Sequence, residues 1–216
     1  MNAYGDCEMG RKNLKEIVYD SILESIYSSE FRPNEIITES GLIKKFGFSK
    51  SPVREALTAL CHEGVLHNIP RCGYQVIAMT TEDVEQMMEY RRILETGMMR
   101  INMPHITDKH LKKLEELAVL CSKATEDVME HWVYNVNFHL TLASVTENEY
   151  VTAQLNSCMS RLWRAYAQLH WNKWNHYSLP EDMKYHEQII AALKREDLEE
   201  AVSCLEKDLE DFGQSS

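Results

Sequence analysis

The stretch FSKSPVREAL (48–57) places Ser49, Lys50, Ser51 and Arg54 at what reads as a helix start. Lys50 and Arg54 are four residues apart, so on a helix they share a face. A guanidinium at such a position can take guanine O6 and N7 in a bidentate pair, and a lysine there can serve a guanine or a phosphate. The hydroxyls of Ser49 and Ser51 suit phosphate oxygens. The amides and dipole of a helix N-terminus favour the same anion. Lys44 and Lys45 lie just upstream and Arg71 lies downstream, and they add positive charge. The chemistry on offer is the reading of a nucleic-acid duplex. A capped surface helix with solvated charges would show the same residues, so the surrounding elements must decide.

Those elements follow from periodicity and caps. Leu14, Ile17, Val18, Ile22 and Ile26 predict a helix within 13–30, broken near Pro33. Ile36 and Ile37 make a short extended stretch. Thr38 is the expected N-cap of a second helix that stops at Gly47. Ser49 is the expected cap of a third, with Pro52 in its first turn and Ala56, Leu57 and Leu60 on its apolar face. VLHNI and YQVIAM flank the turn signal PRCG and read as two short strands. Three helices and a hairpin in this order predict a winged helix-turn-helix over 11–78, after a disordered stretch over 1–10.

From residue 81 onward the pattern is helical, over about 81–103, 107–125, 128–146, 148–175, 180–195 and 197–212. Thr107, Asn148 and Asp197 are the expected caps. The fold class is therefore mainly α, a winged helix-turn-helix followed by an all-helical antiparallel bundle over 79–216. Residues 75–81 form the joint, with no flexible linker, repeat or low-complexity segment.

Charge divides the same way. The chain has 216 residues and a formal net charge of −11. Residues 11–80 carry a net +1 and residues 81–216 a net −10. The front can approach a polyanion only through a local basic patch, and the acidic back limits non-specific binding. No apolar run reaches membrane length, and MNAYGDCEMG has no secretory pattern, so a cytoplasmic location is expected. The six cysteines include no CxxC pair and are expected to be reduced. Paired Glu-x-x-His motifs, a nucleophile constellation and a Gly-rich phosphate loop are all missing, which argues against a di-iron or other enzyme.

Residues 14–77 resemble the DNA-binding domain of the GntR family of bacterial transcription regulators. The marks are RPNEII, ESGLIKKFGFSKSPVREAL, HEGVL and the wing PRCGYQV. The resemblance implies DNA contacts from Ser49, Lys50, Ser51 and Arg54 and from the wing around Gly73. Lys50 stands where the family usually has arginine, so guanine discrimination there is expected to be weaker. Ser40 stands where some members have arginine, which removes one contact.

The remainder resembles the FCD effector domain of the FadR-like branch, through YRRILETG, NVNFHLTLASVTEN and KYHEQIIAALKREDLEEAVSCLEKDL. Many members hold a divalent metal with one Asp and three His, beside a small carboxylate. Carried over by position, that site here is Asn135, His139, His186 and Asp208. Two imidazoles, a carboxylate and an amide oxygen form a ligand set for Zn, Ni, Fe or Mn. The substitutions equally fit a site that has lost its metal, as in members that bind acyl-CoA. Arg91 matches a pocket arginine able to pair with a carboxylate effector; its other reading is a surface pair with Glu95 at i+4. Trp163 and Tyr166 are expected to line the pocket. His105, His110, His131, His170 and His176 match no ligand position.

The reading is a homodimeric, ligand-responsive repressor that binds a palindromic duplex operator and senses a small organic acid. Its alternatives are a metal-free regulator with an acyl or apolar effector, a ligand-free architectural DNA-binding protein and, least favoured, a helical-bundle metal enzyme.

Overall fold

The computed structural model describes residues 13–124, 128–170 and 182–211. The chain divides into two compact units, Met1–Asp83 with Trp163–Asn172, and Val84–Leu162 with Lys173–Ser216. The disordered stretch expected over 1–10 lies outside the described residues, as do Trp171, Trp174 and His176.

In the first unit, α1 (Leu14–Tyr27) starts from a capping box between Asn13 and Glu16. β1 (Ile36–Ile37) leads into α2 (Glu39–Phe46), capped by Thr38 and ended by Gly47 at φ 73°. α3 (Lys50–His62) follows, then β2 (Leu66–Ile69) and β3 (Gly73–Val76). Val18, Ile22, Leu42, Val53, Leu57, Leu60 and Val76 close a dry core beneath α3. The structure adds one element to the expected hairpin. β1 pairs antiparallel with β3, giving a three-stranded sheet in the order β1-β3-β2. Gly73 makes this possible. Its φ is +136°, and a Cβ there would lie 2.5 Å from the Ile37 carbonyl oxygen.

In the second unit α4 (Thr81–Asn102) is followed by α5 (Asp108–Lys123), α6 (Val128–Ala143), α7 (Glu149–His170), α8 (Asp182–Lys194) and α9 (Leu198–Asp211). The last turns of α7 group with the first unit. Leu114, Phe138, Leu142, Ile189, Leu193, Leu205 and Leu209 fill the core. Buried Asn102 donates to the Leu142 carbonyl at 2.6 Å and accepts from Thr146 at 2.8 Å, which fixes α4 against the end of α6. Thr107, Asn148 and Asp197 cap their helices as expected. The five described cysteines are free. No helix among the described residues is long and apolar enough to cross a membrane.

Candidate functional site

Three of the residues expected to touch DNA, Lys50, Arg71 and Gly73, line one groove of the first unit. The groove is lined by Ser40 of α2, Lys50 of α3, and Asn68, Arg71 and Gly73 of the wing, with Glu39 and Tyr74 among them. Arg71 sits in the wing turn at φ 66°, a left-handed conformation uncommon outside glycine. Ser49 is the N-cap of α3 by position, but its hydroxyl makes no capping bond. Pro52, the third helical residue, has no N–H, so of the two donors an N-cap oxygen can accept from only that of Ser51 remains.

The other predicted contacts differ in how far they are engaged. Arg54 is exposed, and its Nε donates to Glu39 Oε1 at 3.1 Å. Ser51 donates to Glu55 at 2.9 Å. Lys45 pairs with Glu30 and lies over the rings of Phe31 and Phe46, 5.3 and 5.4 Å from their centroids. Lys44 is exposed in the last turn of α2.

In the second unit three of the four residues carried over as ligands converge. His139 of α6, His186 of α8 and Asp208 of α9 are buried, and one ligand atom from each lies within 4.8 Å of the others. His139 Nε2 is 3.2 Å from Asp208 Oδ2, and His186 Nε2 is 3.6 Å from Asp208 Oδ1. Ligand atoms about 2.0–2.1 Å from a tetrahedral ion stand roughly 3.3 Å apart, so these spacings suit a first-row metal. Asp208 Oδ1 is buried and accepts no hydrogen bond, so an acceptor remains for a cation. Phe138 stacks on the His186 ring, centroids 3.9 Å apart and planes 18° apart, and so holds that imidazole in place. Asn135 is buried one turn before His139 on the same helix. The donor set fits a divalent transition ion.

Behind His139 stands a residue that the sequence reading named only in the alternative account of Arg91. Glu95 accepts from His139 Nδ1 at 2.6 Å and from Arg91 Nε at 2.7 Å. Arg91 is 1% exposed and Glu95 4%. Burial alone would raise the Glu95 pKa, but the charges of Arg91 and His139 hold it at about 2. A carboxylate ionised at every ordinary pH requires the hydrogen on His139 Nδ1. The Nε2 atom then faces Asp208 and is the one available to a metal, the arrangement by which an outer carboxylate orients a ligating imidazole. With no metal bound, burial alone would lower the His139 pKa; the Glu95 charge and the bonds to Asp208 and Glu95 overcome it, and the Arg91 charge, and bring it to about 9. A legible signal lay in α4: Arg91, Glu95, Met98, Met99 and Asn102 repeat at helical spacing and share its buried face.

Trp163 and Tyr166 are buried on the stretch of α7 that groups with the first unit. Trp163 meets Tyr27 edge-on with ring centroids 6.1 Å apart. His110 completes the capping box of α5, and buried His131 lies 3.5 Å from the Cys121 sulfur.

A winged helix-turn-helix with a basic groove, on a chain that also folds a helical bundle around a buried polar cluster, has the build of a two-domain transcription regulator. Residues 14–76 match the model of the bacterial regulatory proteins of the gntR family, and residues 86–211 match that of the FCD domain. The chain belongs to the GntR family, in the FadR-like branch that carries an FCD effector domain. The uncharacterized HTH-type transcriptional regulator YdhC of Bacillus subtilis (strain 168) is 31% identical over 137 residues, 62% of this chain and 61% of that protein. The gluconate operon transcriptional repressor of the same organism is 29% identical over 130 residues, 58% of this chain and 52% of that one. The chain thus spans about half to three fifths of the length of these curated relatives. Escherichia coli McbR/YncC shares the fold, with a TM-score of 0.72 at 21% identity over 93% of this chain and 95% of that one. Both Bacillus subtilis relatives are transcription regulators by name.

Proposed function

We propose that the protein is a DNA-binding repressor that senses a small organic acid through a divalent metal held by His139, His186, Asp208 and the amide oxygen of Asn135. The observation that carries the metal is the convergence of three buried ligand atoms from three helices, with Glu95 orienting one imidazole. Charge supports the acid. The Arg91 charge offsets that of Glu95, so a divalent ion beside Asp208 and two neutral imidazoles keeps one net positive charge. A carboxylate balances it, and Arg91, buried and joined to His139 through Glu95, is a cation able to pair with such an anion. On the DNA side, Ser49, Lys50, Arg54 and Arg71 contact a palindromic operator from each half of a homodimer, and Gly73 shapes the wing. Effector binding then favours one arrangement of the DNA-binding units over another. The repressor named among the relatives supports the sign of regulation.

One observation favours a second reading, a metal-free regulator with an acyl or apolar effector. Arg91, Glu95, His139 and Asp208 alternate in charge along one buried chain of contacts, so they can balance without a metal. Metal content of natively purified protein separates the two, measured by mass spectrometry against a His139→Ala, His186→Ala variant. About one transition ion per chain, lost in the variant, is the expected result. No metal in either sample overturns the metal site and leaves the second reading.

A further inference from the structure

The groove of the first unit holds a carboxylate where a polyanion would bind. Glu39 opens α2 and lies among Lys50, Asn68, Arg71 and Gly73. A negative charge there weakens the approach of every duplex alike, whatever its sequence. Its contacts give it another use. Glu39 Oε1 accepts from Arg54 Nε at 3.1 Å and from the Tyr74 hydroxyl at 3.4 Å. One oxygen therefore joins the start of α2, the recognition helix α3 and wing strand β3.

We infer that Glu39 is a positioning residue for sequence reading, its carboxylate holding the Arg54 guanidinium in the orientation that meets a base pair. The inference rests on the reading of Arg54 as a base-contacting residue. A guanidinium has five N–H donors in a rigid plane. With Nε bound to Glu39, the outer edge formed by Nη1 and Nη2 stays available, and that edge matches guanine O6 and N7. Arg54 is 61% exposed and Glu39 23%, so the pair stands at the surface with its carboxylate end the more sheltered. An arginine without this partner would spread over many rotamers and reach any nearby phosphate, which binds DNA without choosing a sequence. Glu39 thus lowers general affinity and raises discrimination, as repulsive elements in selective interfaces do. Tyr74 couples the arrangement to the wing.

The test uses the full-length protein and two duplexes. One is the sequence that the wild-type protein enriches from randomised double-stranded DNA; the other is a scrambled duplex of the same composition. The readout is the ratio of the two affinities. Glu39→Ala is expected to cut that ratio by roughly 10-fold, a loss within the range of one bidentate base contact. The loss falls on the enriched duplex, while the scrambled one binds as well as before or better. Glu39→Gln, whose amide oxygen still accepts from Nε, should recover part of the ratio. Tyr74→Phe should lower it by about 2-fold, the size of one weak hydrogen bond. Selection repeated with Glu39→Ala should lose preference at the same base pair as selection with Arg54→Ala. Equal tightening on both duplexes would make Glu39 a simple repulsive charge and overturn the inference. An unchanged ratio in Glu39→Ala, with a lost ratio in Arg54→Ala, would overturn it while leaving Arg54 as a base reader. An unchanged ratio in Arg54→Ala would overturn both.

Discussion

Each unit of this protein contains an arginine–glutamate pair, and the two pairs do opposite things. Arg54 and Glu39 meet at 3.1 Å with the arginine 61% exposed. Arg91 and Glu95 meet at 2.7 Å with the arginine 1% exposed. The chemical groups are the same and the cost of holding them is not. A surface pair contributes little to stability and can exchange its partner for a phosphate. A buried pair must be compensated on all sides, and it constrains whatever else enters its neighbourhood. His139 and Asp208 extend the buried pair into a chain of alternating charge. Exposure thus separates a surface pair that solvent and partners can reach from a buried pair built into a compensated cluster.

The largest expected effect is on the buried side. Glu95→Ala leaves Arg91 and His139 without their shared carboxylate and should destabilise the bundle by about 3–5 kcal/mol. Glu39→Ala should cost the winged unit less than about 1 kcal/mol. Hydrogen exchange on peptides from α6 and α3 measures each unit separately, and equal losses would erase the contrast. Next comes Gly73→Ala, which sets a methyl against the Ile37 carbonyl. It should destabilise the wing by roughly 1–3 kcal/mol, visible as faster exchange in β1 and β3. An unchanged wing would mean that the β1–β3 approach relaxes freely.

The pH profile sharpens the comparison further. In chelator-treated protein, burial disfavours both charged forms, and the neighbouring charges outweigh it. Glu95 is held at about 2, below the ordinary 4.5, so its contribution is present above pH 4.5 and lost as pH falls towards 2. His139 is raised from 6.5 to about 9, so its contribution is present below pH 6.5 and lost as pH rises through 9. The bundle's melting temperature should therefore fall between pH 6.5 and 9, and a flat profile would show that His139 is neutral in the folded state. The smallest effect belongs to the groove: Lys50→Ala should reduce the slope of log affinity against log salt by about 1. An unchanged slope would take Lys50 off the phosphate path.

Much of this was legible in the chain. The caps Thr38, Thr107, Asn148 and Asp197 and the stop at Gly47 stand as read, because they are local backbone chemistry; of the apolar residues named for α1, Leu14 and Ile17 are exposed. The extended stretch at Ile36 and Ile37 was read, but its place in the sheet was not, because two residues carry no period. Its pairing depends on a close approach at Gly73. Ser49 stands at the cap position as read but without the capping bond, and Pro52 removes one of the two donors its hydroxyl could have met. The sequence left Arg91 with two readings, a pocket residue or a surface partner of Glu95, because i, i+4 spacing does not tell which face is covered. The buried positions at 98, 99 and 102 extend that face, and only packing against α6 makes it interior.

By itself the sequence determined the elements, their order, and the kinds of groups available at the recognition helix and in the bundle. Backbone propensity, capping and hydrophobic period act over a few residues and are written in neighbouring letters. The tertiary structure decided which of those groups meet. Distances such as 2.6 Å from Glu95 to His139 and 3.2 Å from His139 to Asp208 join residues far apart in the chain. Burial then turns ordinary charges into a compensated site, since an uncompensated charge is costly once water is gone.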